Sequence, residues 1–510
     1  MLLVPVSCAL LAILYAAGMR ASVVIFLSSA SIFVVSTILS LFYFVSDDIT
    51  GAGITEATFF HMLYGFDGLD VFNFSTYVVV TLAASVAIGL ICFIAWRICA
   101  RQSKPLFQYR PSRVIHVTVI GALSIFAVGV HPATLQTIEV AQELYDSRYA
   151  SVLNEALRSF GDVKPAAQGK SLVYIYAESL ERTFLNHRTF PGLTPKLSEM
   201  ERSSLSIHGI GQSPLTDWTV AGMVASQCGM PLATFRHDGN NLSDLSSFIP
   251  GASCIGDLLS EQGYQLAYIG GADLHFAGKG RFYSDHKFED ITGLNELRAR
   301  YGERIPVSKR GVYDDALFES ALKKFRGLSS TGKPFALYVL TLDTHAPNGH
   351  ATPTCAKRPE LKYGDGANSM LNAVKCSDEL ISDFVKKIEA EAGKDVVIVV
   401  ASDHLQMRSV ATELLDQSKD GRENLFMVRA AGIEPKRVTR ASTTMDIAPT
   451  ILSLLGWDIR AMALGRNLLG EEQTLVEKYG QEKFYEMVKA WRMSLWQMWK
   501  KDSSSANRTM

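Results

Sequence analysis

Four apolar stretches, each close to the length needed to cross a bilayer, crowd the start of this chain, at roughly 2–19, 22–45, 75–96 and 114–132. A spanning helix takes about 20 residues at 1.5 Å per residue, and backbone in hydrocarbon must satisfy its own hydrogen bonds, so each stretch is expected to be a helix. The first has no positive n-region and is followed after Arg20 by a second apolar run, which reads as half of a helical hairpin rather than a cleaved leader. Orientation follows from the loops, because cytoplasmic loops carry the Lys/Arg excess. The 97–113 loop holds Arg97, Arg101, Lys104, Arg110 and Arg113 and no acid; the 46–74 loop holds Asp47, Asp48, Glu56, Asp67 and Asp70 and no Lys or Arg. The expectation is a multi-pass inner-membrane region over 1–133, a helical linker over 134–168, and everything beyond on the outer, periplasmic side.

Cysteine placement fits export. Cys8, Cys92 and Cys99 lie in or beside the spans, leaving Cys228, Cys254, Cys355 and Cys376 in the exported part. An even number in an oxidising compartment points to two disulfides. Local pairing, Cys228 with Cys254 and Cys355 with Cys376, is favoured among three connectivities, each closing a loop worth about 3 kcal/mol in the chain-entropy picture; four buried thiols is the alternative.

From about residue 169 the pattern changes. The runs 171–177, 265–270, 334–342, 395–402 and 425–430 are short, apolar and rich in β-branched and aromatic residues, and the segments 313–325, 369–390 and 444–455 read as helices. This predicts an α/β domain over about 169–470, a mainly parallel sheet with helices on both faces, followed by a C-terminal helix and polar tail over 471–510. The formal charge of −1 leaves no nucleic-acid footprint.

In such sheets chemistry sits beyond the carboxyl ends of the strands. Three predicted strands end in a carboxylate, at Glu178, Asp343 and Asp403, and two of these lead into a histidine, in Asp343-Thr344-His345 and Asp403-His404. Singly, such residues are more often turn formers or caps; together, carboxylates and an imidazole suit one divalent metal ion of the Zn or Mn kind. The Gly/Ser/Pro-rich stretch that opens 209–231 runs into Thr216-Asp217 and an apolar helical segment. A threonine at a helix N-terminus is a fitting phosphate-directed nucleophile, with an ordinary N-cap as the plain reading of Thr216 and Thr219 as its rival one turn on. Asp217 serves either the site or the helix N-terminus.

At LVYIYAESLERTF (172–184), TDWTVAGMVASQCGMPL (216–232), TLDTHAPNG (341–349) and ASDHLQM (401–407) the chain resembles the membrane-anchored branch of the alkaline phosphatase and sulfatase superfamily. That branch includes lipoteichoic acid synthases, phosphoethanolamine transferases and the phosphoglycerol transferases of osmoregulated periplasmic glucan synthesis. The resemblance implies Glu178, Thr216, Asp403 and His404 as metal ligands, Thr216 as nucleophile, and His345 as a catalytic and substrate-site histidine. It implies one divalent ion, Mn favoured with Zn or Mg as alternatives, phosphatidylglycerol as donor and a periplasmic glucan as acceptor. Lys279, in Phe276-Ala-Gly-Lys279, stands where lipoteichoic acid synthases place an arginine, and the tryptophan of that stretch is missing; Trp218 and Asp343 are further substrate-side candidates. A phosphoethanolamine transferase or phosphodiesterase of the same fold is the alternative, and a non-catalytic lipid- or glucan-binding protein is a third reading. The C/S-x-P-x-R motif of hydrolytic sulfatases is missing, since Cys228 sits in Cys-Gly-Met-Pro-Leu. The larger phosphoglycerol transferases run on past residue 510. Trp491, Trp496 and Trp499 near the C-terminus suit either a membrane interface or packing onto the domain.

Overall fold

A computed structural model describes residues 23–50, 113–145, 149–157, 169–233, 247–302, 304–393, 395–418 and 421–496, with isolated positions among 5–12, 53–58 and 79–97 and at 165. The chain divides into two compact units, Met1–Thr58 with Asp70–Glu143, and Phe59–Leu69 with Leu144–Met510.

In the first unit, the helix Val23–Thr50 contains the stretch Leu27–Asp47, long and apolar enough to cross a membrane. Leu27, Val34, Val35, Ile38 and Phe44 point outward from it, an arrangement that water disfavours and lipid accepts. A second apolar pair, Val117–Gly129 and Pro132–Val140, is bent by 56°. The break falls where Pro132 cannot donate a backbone hydrogen bond. The expected spans 2–19 and 75–96 and the two charged loops lie for the most part outside the described residues.

The second unit is built on eight strands: β1 (Ser171–Ala177), β2 (Leu205–Gly211), β3 (Gln265–Gly270), β4 (Asp290–Thr292), β5 (Phe335–Leu340), β6 (Val396–Ser402), β7 (Phe426–Arg429) and β8 (Lys436–Thr443). Their order is β4-β3-β5-β1-β6-β7-β2-β8, and only β7 runs against the rest. The central strands are buried on both faces, which is why they read as unbroken apolar runs rather than alternating ones.

The two-residue period sorts β1 cleanly. Val173, Ile175 and Ala177 join the core with Leu317 and Phe318 of the helix Asp314–Ser329 and with Val374, Ile381 and Phe384 of the helix Ser369–Glu391. Each such side chain is worth about 1.5–3 kcal/mol when fully buried. The other face carries Tyr174 and Tyr176; Tyr174 stacks on Tyr338 of β5, and the Tyr176 hydroxyl lies 2.7 Å from Ser226 Oγ on the helix Thr219–Cys228. Disulfides join Cys228 to Cys254 and Cys355 to Cys376.

Of the two readings of the C-terminal tryptophans, packing is the one found for Trp491 and Trp496. Both are buried, and Trp491 Nε1 donates to Tyr149 O at 2.7 Å, so these two rings belong to the domain and not to a membrane interface. Trp499 lies outside the described residues.

Candidate active site

β1 pairs in parallel with β5 on one side and β6 on the other, with Ala177 level with Ser402, so the residues that follow, Glu178 and Asp403, leave the sheet side by side. Backbone groups fix their directions. The Glu178 N–H donates to Thr341 Oγ1 at 2.9 Å, and the Ser179 N–H donates to Asp403 Oδ1 at 2.8 Å. Ser179 holds φ at 53°, an unfavourable value for a residue with a Cβ, and its hydroxyl donates to Glu178 Oε1 at 2.8 Å.

His404 completes the cluster. Its Nδ1 donates to Leu405 O at 2.7 Å, which leaves Nε2 as the nitrogen open to a cation once the ring is neutral, 3.4 Å from both Glu178 Oε1 and Asp403 Oδ2. At that distance the contacts are electrostatic, and both His404 Nε2 and Asp403 Oδ2 are buried without a hydrogen-bond partner. Buried polar atoms are normally paired. One ligand atom from each of Glu178, Asp403 and His404 lies within 4.8 Å of the others, and the orphaned lone pairs are those a divalent cation would take up: two carboxylates and an imidazole oriented by a carbonyl. Without a cation, burial and the Glu178 charge push the Asp403 carboxyl up to about 7. His404 is raised to about 10, its burial being outweighed by the charges of Asp403 and Glu178. Burial likewise opposes the Glu178 charge, but His404 and His345 hold this carboxyl below its ordinary range.

The helix Thr219–Cys228 packs directly on this cluster. A Cβ at Gly222 would stand 2.0 Å from Asp403 O, so the approach is open only to glycine. The N-cap is Trp218, not Thr216, which removes the plain capping reading of Thr216. Thr216 is instead buried in the turn ahead of the helix, where Leu215 holds φ at 64° and the Thr216 hydroxyl donates to Ser213 O at 2.8 Å. Its rival Thr219, the first helical residue, donates to Glu178 Oε2 at 3.3 Å. Trp218 is buried between the two.

Other sequence candidates gather nearby. His345 Nδ1 donates to Ala346 O at 2.7 Å, leaving Nε2 as an acceptor, and burial together with the Arg310 charge pushes the ring down to about 4. It is a neutral imidazole. Lys279 is buried, donates to Phe276 O at 2.9 Å, and is pushed down by burial to about 8; the charges of Glu178 and Asp403 act on it in the opposite sense. Asp343 is bound up with a residue the sequence reading missed. Its Oδ2 accepts the Asp314 N–H at 3.1 Å, while Asp314 accepts the N–H groups of Leu342 and Asp343 at 2.7 and 3.2 Å. Two buried carboxylates so close cannot both ionise readily: burial pushes Asp314 up to about 7, and burial plus Asp314 pushes Asp343 up.

A second omission is the clamp behind the cluster. Glu181, fully buried, receives Arg422 Nε at 3.0 Å on both carboxylate oxygens and the Gln406 N–H at 2.9 Å; Arg422 Nη2 also reaches Glu181 and Gln406 O. It ties the turn after β1 to the loop after β6. The hint in the sequence was Glu181 itself, three residues beyond Glu178 in an otherwise apolar setting.

A family described as Sulfatase matches residues 170–457, and one described as Phosphoglycerol transferase I, N-terminal domain, matches residues 1–148. The chain is 35% identical over 428 residues to phosphoglycerol transferase I of Xanthomonas euvesicatoria pv. vesicatoria (strain 85-10), covering 84% of this chain and 59% of that protein. It is 36% identical over 475 residues to phosphoglycerol transferase I of Escherichia coli O139:H28 (strain E24377A / ETEC), covering 91% and 59%. The chain thus spans 59% of the length of these curated relatives. Among solved structures, an alkaline phosphatase superfamily protein from Vibrio parahaemolyticus is similar with a TM-score of 0.49 at 24% identity, over 66% of this chain and 78% of that one.

Proposed function

This chain belongs to the sulfatase family, matched over residues 170–457, and from that premise we propose that it moves the glycerophosphate head group of phosphatidylglycerol onto a periplasmic glucan, working from the outer face of the bacterial inner membrane to which a multi-pass N-terminal region anchors it. The observation that carries the reading is the buried Glu178–Asp403–His404 cluster, with two ligand atoms unpaired, under a helix that packs on Asp403 and whose first residue, Thr219, donates to Glu178. The names of the relatives support the choice of head group.

Glu178, Asp403 and His404 would hold one divalent ion, with Thr216 as a fourth ligand; the mixed oxygen and imidazole set suits Mn, with Zn or Mg as alternatives. When bound, the ion supplies Lewis-acid stabilisation of charge at the threonine oxygen and the phosphoryl group. Thr216 Oγ1 forms a bond to phosphorus as the bond from phosphorus to the diacylglycerol oxygen breaks. The threonine proton ends on that oxygen, leaving a glycerophospho-threonine. In the second half a glucan hydroxyl attacks phosphorus, its proton passes to Nε2 of the neutral His345, and the Thr216 oxygen leaves and recovers a proton. Lys279 is proposed to contact the phosphoryl oxygens, with Trp218 and Asp343 as further substrate-side groups. Both hydroxyls are engaged, Thr216 as donor to Ser213 O and Thr219 as donor to Glu178; Thr216 is favoured because it follows the strained Leu215, and strain of that kind is kept where function needs it.

The donor is tested with the full chain in nanodiscs holding head-group-labelled phosphatidylglycerol or phosphatidylethanolamine, with a linear glucan added. Glycerophosphate appearing on the glucan, together with diacylglycerol, is the expected result. Phosphoethanolamine on the glucan would give the chain the alternative transfer, and free glycerophosphate with an unmodified glucan would make it a phosphodiesterase.

The clamp behind the site gives a separate expectation. Arg422→Ala leaves the Glu181 carboxylate buried and unpaired, which costs about 3–5 kcal/mol and is read as a lowered urea midpoint. Because the clamp spaces Glu178 from Asp403 and His404, Arg422→Lys, which keeps the charge but loses the two-pronged contact, is expected to weaken metal binding ~10-fold or more in a chelator competition.

A further inference from the structure

Three loops meet at the carboxyl end of the sheet, two of them carrying on directly from His345 and His404. The 304–312 loop is fastened to the end of β3: the Val312 N–H donates to Gly271 O at 2.9 Å, and a Cβ at Gly311 would stand 2.2 Å from that same oxygen. From it, Arg310 Nη2 donates to Ala346 O at 3.1 Å in the 344–350 loop, which follows β5. The 405–412 loop after β6 joins the same group, the Val410 N–H donating to Pro347 O at 3.0 Å. The rim is therefore one connected surface.

Its composition is unusual for this unit. Among the described residues beyond 143, the strongly exposed large apolar side chains are Val307 at 36%, Val410 at 50% and Leu469 at 40%, and the first two lie on this rim. The segments 304–312, 344–353 and 405–412 carry Arg304, Lys309, Arg310 and Arg408 and no Asp or Glu, in a chain whose net charge is −1. Lys309 and Arg408 are exposed, beside the two valines.

We propose that this rim, Val307, Lys309, Arg408 and Val410, is the surface by which the catalytic unit seats its mouth on an anionic phospholipid bilayer. Exposed aliphatic groups beside cationic ones match the apolar and negative components of such an interface. The inference rests on the reading that the donor is a membrane lipid, whose phosphate the site must reach at head-group level. The valines enter the acyl boundary while the cations pair with neighbouring anionic head groups.

The test uses the full chain in nanodiscs, in a background where Cys8, Cys92 and Cys99 are replaced by serine. Val410→Cys carries an environment-sensitive fluorophore, and Ala431→Cys, just past β7 at the opposite end of the sheet, serves as the control position. The expected result is a blue shift and quenching by nitroxide lipids at position 410 in discs containing phosphatidylglycerol, with neither at 431. A water-like signal at 410 in those discs, or a shift that arises only when glucan is added, overturns the proposal. Independently, Val307→Ser/Lys309→Gln/Arg408→Gln/Val410→Ser is expected to lower turnover of bilayer donor on the order of tenfold or more while leaving turnover of a water-soluble phosphodiester unchanged; equal losses on both would also overturn it. If the wild-type chain cleaves neither donor, the lipid-transfer reading fails by itself, and the label at 410 still decides the rim.

Discussion

Thr216→Ala is expected to stop diacylglycerol release almost completely, by on the order of 10³-fold or more, because removing a nucleophile leaves only what binding and charge stabilisation can do. The fold should survive. The Thr216 hydroxyl makes one hydrogen bond, to Ser213 O at 2.8 Å, so the substitution costs about 1 kcal/mol, and the unfolding midpoint should barely move. Thr219→Ala is the matched comparison. It removes the 3.3 Å donor to Glu178 Oε2 and is expected to reduce turnover by far less, on the order of tenfold, through a less well oriented ligand. Full activity in Thr216→Ala with loss in Thr219→Ala would transfer the nucleophile role to Thr219.

The second large effect is expected at the cluster itself, and it splits stability from activity. Asp403→Asn should abolish stoichiometric metal binding and with it lipid cleavage. Yet the metal-free variant should melt no lower than the metal-free wild type, because Asp403 is a buried carboxylate beside Glu178 with an unpaired Oδ2, and neutralising such a charge relieves a destabilising burial. The wild type alone should gain stability on adding metal, by about 4 kcal/mol at a thousandfold excess over its dissociation constant. Melting with and without metal, beside a metal assay on the purified chain, reads both halves. An Asp403→Asn chain that still gains stability from metal would remove this residue from the ligand set.

Much of the fold was legible because the central strands carry their own signal. β1, β5 and β6 are buried on both faces, so their apolar runs stand out. β2, with His208, Gly209 and Gly211 in LSIHGIG, and β8, an edge strand with charged residues in KRVTRAST, do not stand out. Their pairing depends on each other and on β7, and no local pattern reports that. The three-residue β4 is too short to leave a trace.

The chemistry was legible where it sits at strand ends, since an acid directly after a buried run has few reasons to be there; Glu178, Asp343 and Asp403 were found this way. The supporting groups were not. Glu181 and Arg422 are 241 residues apart, and Asp314 reaches Asp343 from the start of a helix whose first turn, Asp314-Asp315, looks like ordinary helix-dipole compensation. The rim was missed for the same reason, being assembled from three loops that only the sheet brings together.

The most direct measurement is mass spectrometry of the purified, metal-loaded chain after incubation with phosphatidylglycerol in nanodiscs and no acceptor. A glycerophosphate adduct on the peptide bearing Thr216, lost when glucan is added, is the expected result. Diacylglycerol release at full rate with that peptide never modified, even on rapid quenching, would contradict a covalent threonine mechanism.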